Sequence, residues 1–172
     1  GSQTDCNQMH RLQNRRRNQR ETTVRLMSLH LAYLVLGSNL GNRSTNLENA
    51  KTEIRALSET KILKESEIYK SPAYGPIDQP FFFNLALEVE TKFSPLVLLE
   101  HLQKIETKLK REKDSHMKPR TIDIDIVFFD DETIETPLLK VPHYDWQNRD
   151  FFINPLKEIN CQAQEFKNFS FD

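Results

Sequence analysis

The sequence predicts an α+β domain in which an antiparallel sheet, connected as a split βαβ unit, carries helices packed upon it. Three observations lead there. Runs rich in branched and aromatic apolar residues recur at 31–37, 61–70, from Phe81 onward, and at 119–129. Stretches with apolar residues at helical spacing separate the first run from the second and the third from the fourth. The chain has 172 residues, 37% of them hydrophobic, which is enough for one domain to bury its own core and leaves no need for a second.

Charge and cysteine content narrow the class. The net charge is −1, but the first 29 residues hold six arginines against two acids, so residues 30–172 hold 18 basic against 23 acidic side chains. An acidic folded part argues against nucleic acid as partner. Cys6 and Cys161 show neither metal-ligand spacing nor a disulfide framework, which favours a reducing, cytoplasmic setting. No apolar run approaches the roughly 18 residues of a membrane span. Residues 1–29 mix Arg11, Arg15, Arg16, Arg17, Arg20 and Arg25 with Gln and Asn and lack an apolar stripe, so they are expected to be a disordered or vector-derived extension to a domain at 30–172.

The first strand, 31–37, is apolar on both faces and runs into Gly37, Ser38, Asn39, Leu40 and Gly41, a tight loop that matches neither dinucleotide-binding nor Walker phosphate-loop patterns. Thr45 and Glu48 form a capping box, and Leu47, Ala50, Ile54 and Leu57 make the stripe of the first helix. A second strand at 61–70 lies near an edge. The segment 71–80, with three prolines and a glycine, is a loop suited to wall a pocket. On the third strand Phe81, Phe83, Leu85, Leu87 and Val89 face one way and Phe82, Asn84, Ala86, Glu88 and Glu90 the other. Phe82 and Asn84 therefore stand together. A ring to stack on and an amide to read an edge suit a flat heterocycle, although core packing for Phe82 and a structural hydrogen bond for Asn84 fit the pattern as well.

Ser94 and Pro95 open the second helix, whose stripe is Leu98, Leu102, Ile105 and Leu109. Gln103 and Glu106 lie three apart on a different face. The charged segment 110–118 leads to the most informative stretch, 119–129. An Ile, Val and Phe run should be a core strand, yet Asp123 and Asp125 interrupt it. Alternation puts both on one face, about 6–7 Å apart at Cα, with Ile122, Ile124, Ile126 and Phe128 on the other. Such a pair can converge on Mg²⁺, which takes few carboxylates and leaves room for phosphate oxygens, and Arg120 stands next to it. Solvated aspartates on an edge strand are the plainer alternative. After a turn at 130–133, Pro137 and Pro142 bracket a short strand. His143 to Phe152 then crowds an imidazole, aromatics and Arg149 together, with His143 and Arg149 able to give charged hydrogen bonds to phosphate.

Three motifs in this order, Leu36-Gly37-Ser38-Asn39-Leu40-Gly41, Pro119-Arg120-Thr121-Ile122-Asp123-Ile124-Asp125-Ile126 and Val141-Pro142-His143-Tyr144-Asp145, resemble the 6-hydroxymethyl-7,8-dihydropterin pyrophosphokinase family of folate biosynthesis over about residues 30–160. The resemblance implies a ferredoxin-like fold and, as activity, transfer of pyrophosphate from ATP to the hydroxymethyl group of the pterin with release of AMP, by a monomer. It implies that Asp123 and Asp125 bind two Mg²⁺ ions, with Arg111 and Arg120 also catalytic. Ser71, Pro72, Tyr74, Phe82, Asn84 and Phe151 would hold the pterin. Gln103, Glu106, Arg111, Lys113, Arg120, Ile126, Lys140, His143, Tyr144 and Arg149 would hold the nucleotide. This chain departs from the family at Met117-Lys118-Pro119-Arg120, where Trp-Gly-Pro-Arg is usual, and at Lys113 and His116, where arginines are common. The competing classes are an RNA-binding module of the same topology, which would need exposed strand aromatics where the aspartates stand, and a metal-dependent phosphohydrolase. Deleting residues 1–28 should leave the melting temperature and ATP affinity unchanged in thermal melts and titrations, and a loss of several degrees would show that the segment docks on the fold.

Overall fold

The computed structural model describes residues 29–72, 81–112 and 122–160, with the side chains of Arg111 and Glu112 excluded. The arginine-rich extension, apart from Leu29, and residues 113–121 with Lys113, His116 and Met117, lie outside the described residues.

Strand β1 (His30–Ser38) is central because its side chains are apolar on both faces, and both faces are covered. It pairs antiparallel with β4 (Phe82–Thr91) on one side and β5 (Asp123–Phe129) on the other. β2 (Thr60–Glu65) and the short β3 (Tyr69–Ser71) both pair with the far side of β4. The order β2-β4-β1-β5 is that of the split βαβ sandwich, each crossover unit straddling one inserted strand. Helices α1 (Arg43–Ala56) and α2 (Pro95–Glu112) cover one face. There Leu34, Leu85 and Ile124 pack against Leu47, Ile54, Leu98 and Leu102. A third helix, α3 (Asp150–Ile159), covers the other face with Phe152, Leu156 and Ile159 upon Tyr33, Val35, Ala86 and Phe128. Two short strands, β6 (Ile134–Glu135) and β7 (Lys140–Val141), form a hairpin, and a 3₁₀ turn (Trp146–Asn148) leads into α3. No helix among the described residues is long and apolar enough to cross a membrane.

The structure corrects four expectations. Helix α1 starts two residues before Thr45, and Asn42 caps it by accepting the Thr45 N–H at 3.1 Å, so Thr45 and Glu48 are not the capping box. The expected strand 61–70 is two strands. At the break, the Ser66 hydroxyl accepts the Ala86 N–H at 2.9 Å, a role a backbone carbonyl fills in an unbroken ladder. Phe128 does not share a face with Ile126. The pairing skips between Tyr33 and Leu34, which oppose Phe128 and Ile126, so Val127 is the extra residue of a β-bulge. Val127 and Phe128 consequently both lie under α3, while Phe129 returns to the α1 and α2 side. Helix α3 itself was not expected.

One buried contact fixes the α3 face. The Tyr33 hydroxyl donates to Glu88 at 2.8 Å and accepts from the Asn160 amide at 3.1 Å. Burial and the Glu88 carboxylate together raise the Tyr33 pKa far above the ordinary phenol value, so the hydroxyl remains a donor at any physiological pH. Glu88 is only 8% exposed, and losing this donor leaves a buried carboxylate short of a partner. Tyr33→Phe should therefore destabilise the fold by roughly 1–3 kcal/mol in urea unfolding, more than the loss of one oxygen would suggest; a change under about 0.5 kcal/mol would show that another donor substitutes.

Candidate functional site

On the face covered by α3, strand register lays side chains from β4, β1 and β5 in transverse rows. The row Glu88, Tyr33, Phe128 and the row Ala86, Val35, Asp125 are filled across the sheet. The next row is Asn84, Gly37, Asp123. Its middle member has no side chain, and that gap is the floor of a cleft of about 250 Å³. A Cβ at Gly37 would stand 2.7 Å from the Asn84 amide oxygen, so the strand needs glycine for close approach. Asn84 is 3% exposed and donates from its Nδ2 to the Ser71 hydroxyl at 2.9 Å, which sets the amide orientation. Phe82 from β4 and Pro72 after β3 line it, together with Arg149, Phe151 and Phe152 from the start of α3.

Asp123 and Asp125 enter this cleft from β5, side by side because their backbone alternates with Ile122, Ile124 and Ile126 in the core. Burial pushes the Asp125 carboxyl up to about 6, the Asp123 charge pushes the same way, and Arg149 opposes both. On α2, burial pushes Glu106 up to about 7; Lys110 counteracts, the charges of Asp123 and Asp125 add to the rise, and a bond from the Ile124 N–H lowers it. Asp125 and Glu106 are thus both raised chiefly by burial. Among the described residues, no three His, Cys, Asp or Glu side chains converge to hold a metal unaided. Two carboxylates plus oxygens from a phosphate and water are the usual Mg²⁺ set, so the residues present fit a cation that arrives with a phosphate ligand.

A second cleft of about 360 Å³ lies between the β6–β7 hairpin and the 3₁₀ turn, lined by Lys140, His143, Tyr144 and Trp146 among others. Arg149 stands between the two clefts. Its Nε donates to Asp145 at 3.0 Å and its Nη2 to the Tyr144 hydroxyl at 3.3 Å, while the guanidinium lies 5.6 Å from the Phe151 ring centre. His143 stacks on Tyr144 and meets the Phe152 ring edge-on at 4.9 Å, so the clefts share a wall. Burial, with Arg149 adding, lowers the His143 pKa below the ordinary imidazole value. The Asp145 N–H donates to His143 Nδ1 at 3.2 Å, which leaves the proton on Nε2. Without a phosphate beside it, His143 is therefore held toward its neutral form.

The family model for 7,8-dihydro-6-hydroxymethylpterin-pyrophosphokinase matches residues 33–161. The chain belongs to this family. It is 43% identical over 128 residues to the 2-amino-4-hydroxy-6-hydroxymethyldihydropteridine pyrophosphokinase of Haemophilus influenzae, covering 74% of this chain and 80% of that protein. It is 41% identical over 136 residues to the protein of that name from Bacillus subtilis, covering 79% and 81%. Among solved structures, Plasmodium falciparum HPPK-DHPS with pteroate superposes with a TM-score of 0.61 at 18% identity over 76% of this chain, which shows the shared ferredoxin-like fold. This chain spans 39% of that longer one.

Of the residues that the pyrophosphokinase resemblance singled out, the structure gathers Pro72, Phe82, Asn84, Asp123, Asp125, Arg149 and Phe151 around the first cleft. Ser71 holds Asn84 from behind. Lys140, His143 and Tyr144 go to the second cleft, so Arg149, expected among the nucleotide residues, stands with the other group. Glu106 lies near the aspartates without lining either cleft, and Gln103 is exposed on α2. Ile126 is 3% exposed within the core, because strand alternation turns its side chain away from Asp125; only its backbone is on the edge strand. Tyr74, Lys113, Arg120 and the Arg111 side chain lie outside the described residues. Gly37, Val35 and Phe152 line the first cleft and were not singled out. Parity could have found Gly37, which is two and four residues beyond Val35 and Tyr33.

The raised Asp125 has a sign that can be measured. Its folded pKa of about 6 exceeds the ordinary value of 3.8, so the folded state holds this proton to higher pH and the contribution to stability is lost as pH rises through 6. In a chelator, Asp125→Asn should be more stable than wild type at pH 7.5 by roughly 2–3 kcal/mol, and the two should converge near pH 4. Thermal unfolding of both proteins across that range checks it, and an offset that does not change with pH would assign the effect to packing.

Proposed function

We propose that this chain transfers the pyrophosphoryl group of ATP to the hydroxymethyl oxygen of 6-hydroxymethyl-7,8-dihydropterin and releases AMP. Family membership supports the reaction, and the observation that carries it is the first cleft. A single cleft is lined by the rings of Phe82 and Phe151, by the Asn84 amide fixed by Ser71, and by the carboxylates of Asp123 and Asp125. The rings would stack on the pterin, and Asn84, already turned by Ser71, would read its edge. The hydroxymethyl group would then project toward Asp123 and Asp125. The second cleft, with Lys140, His143 and Tyr144, would take the nucleotide, so that the triphosphate crosses Arg149 to reach the aspartates.

Asp123 and Asp125 would hold two Mg²⁺ ions, and the metal would supply charge neutralisation of the triphosphate and orientation of the attacking and leaving oxygens. The chain's own residues then have positioning roles. Arg149, clamped by Asp145, presents fixed positive charge beside the transferred group. His143 donates from Nε2 as a neutral group, useful for orienting a phosphate rather than balancing its charge. No strong general base is required, since such transfers rest on positioning and charge stabilisation.

Asp125→Asn tests the assignment. It keeps size and strand position and removes one charge from the cation site, so pterin- and Mg²⁺-dependent AMP release should fall by at least roughly 10²-fold, at about 1.4 kcal/mol per factor of ten. Pterin binding without Mg²⁺ should change little. Near-normal AMP release would return Asp123 and Asp125 to the role of solvated edge residues.

A further inference from the structure

Helix α3 supplies Arg149, Phe151 and Phe152 to the first cleft and is seated on the sheet by Phe152, Leu156 and Ile159, but its backbone is weakly stabilised at either end. It has 10 residues, it starts without a side-chain cap, and it contains Pro155, which removes one backbone hydrogen bond. It also carries Glu158 at its C-terminal end, where the helix dipole disfavours negative charge. A carboxylate kept there against local preference needs a tertiary reason. The structure supplies one. Glu158 accepts the Glu67 N–H through both oxygens at 3.1 and 3.0 Å, and its Oε2 also accepts the Tyr69 hydroxyl at 2.9 Å. Beside it, Lys64 Nζ donates to the Ile159 carbonyl at 3.2 Å.

Tyr69 begins β3, and β3 ends at Ser71, which receives the Asn84 amide and continues into Pro72 on the cleft wall. We infer that Glu158 is a positioning residue for the pterin slot: it joins the C-terminal end of α3 to the β2–β3 break, so that the aromatic wall from α3 and the Ser71–Pro72 wall from β3 are held in one frame. Its carboxylate touches neither cleft. It acts by fixing the slot width and the Asn84 orientation, whereas the second cleft, formed by the β6–β7 hairpin and the 3₁₀ turn, lies outside this frame. The inference rests on the proposed pterin site and adds a residue on which its shape depends.

Titration of 6-hydroxymethyl-7,8-dihydropterin and of ATP, with steady-state AMP release at varied concentrations of each, separates the possibilities for wild type, Glu158→Ala, Glu158→Gln and Tyr69→Phe. Glu158→Ala should weaken pterin binding and raise its KM by about tenfold, leaving ATP affinity and the rate at saturating pterin near wild type. Glu158→Gln, which still accepts hydrogen bonds, should recover most of the loss, and Tyr69→Phe, which removes one donor and keeps the ring, should show a smaller loss of the same kind. Pterin affinity unchanged in Glu158→Ala, an equal loss for both substrates, or no recovery in Glu158→Gln would each overturn the inference. Wild type that binds no pterin would overturn the reading of the cleft and the inference with it, an outcome distinct from normal wild-type binding with an indifferent Glu158→Ala.

Discussion

The absence of a side chain at Gly37 is the constraint on which the cleft depends. Sheet faces are normally closed by side chains standing on every alternate residue, and the rows through Tyr33 and Val35 are closed in that way. At Gly37 the backbone itself forms the cleft floor between Asn84 and Asp123, and the distance of 2.7 Å from a notional Cβ to the Asn84 oxygen leaves no room for alanine without moving that amide. Glycine in a strand interior weakens the strand, by roughly 0.5–1 kcal/mol relative to alanine in ordinary settings. Here that cost falls on β1, paired on both sides along its length and so best able to bear it.

The second constraint is strand parity. The face under α1 and α2 is apolar along the middle of the sheet, with only Ser38 and Thr91 at strand ends, each hydrogen-bonded to a neighbouring side chain, so the polar groups that line the cleft take the opposite parity. This is why Asn84, Gly37, Asp123 and Asp125 end up together although they come from distant parts of the chain. The bulge at Val127 then lets β5 change use along its length. Its first half presents carboxylates to the cleft, and its second half presents Val127 and Phe128 to α3 and Trp146, with Phe128 meeting the indole edge-on at 5.0 Å.

Period-two patterning made the sheet legible: the core parity of β4 and the carboxylate parity of β5 could both be read from alternation alone. The helical stripe of α2 was equally plain. Helix α3 was hidden by Pro155 and by a start without a capping side chain, even though Phe152, Leu156 and Ile159 recur at helical spacing. The N-cap of α1 was misread because Thr45 and Glu48 satisfy a local pattern that Asn42 satisfies better in space. The bulge left no local signal, since Val and Phe are acceptable on either face. The site was legible as two groups of residues, and its boundary was not. Arg149 shares its neighbourhood in sequence with His143 and Tyr144, but the 3₁₀ turn and the start of α3 carry it round to the other cleft. The downward push on the His143 pKa was hidden in the same way, because composition shows an imidazole and only packing shows its burial and the nearby Arg149.

Electrostatics then links the two clefts under the proposed function. Asp125 and Glu106 are both raised, principally by burial, and the nearby aspartate charges increase the effect. Arg149 is the cation that opposes the rise at Asp125, and its Nε is already engaged by Asp145. A triphosphate approaching from the second cleft would bring more negative charge to this region, so it cannot settle beside Asp123 and Asp125 unless positive charge comes with it. Cation and nucleotide must therefore favour each other's binding, and by linkage the coupling is the same whichever binds first. On the same proposal the pterin would meet the rings of Phe82 and Phe151 and the neutral Asn84 amide, and its own binding would carry no such requirement. One fold would thereby separate a shape-selected substrate from a charge-selected one, and bring them together at the one strand where parity places carboxylates above an apolar core.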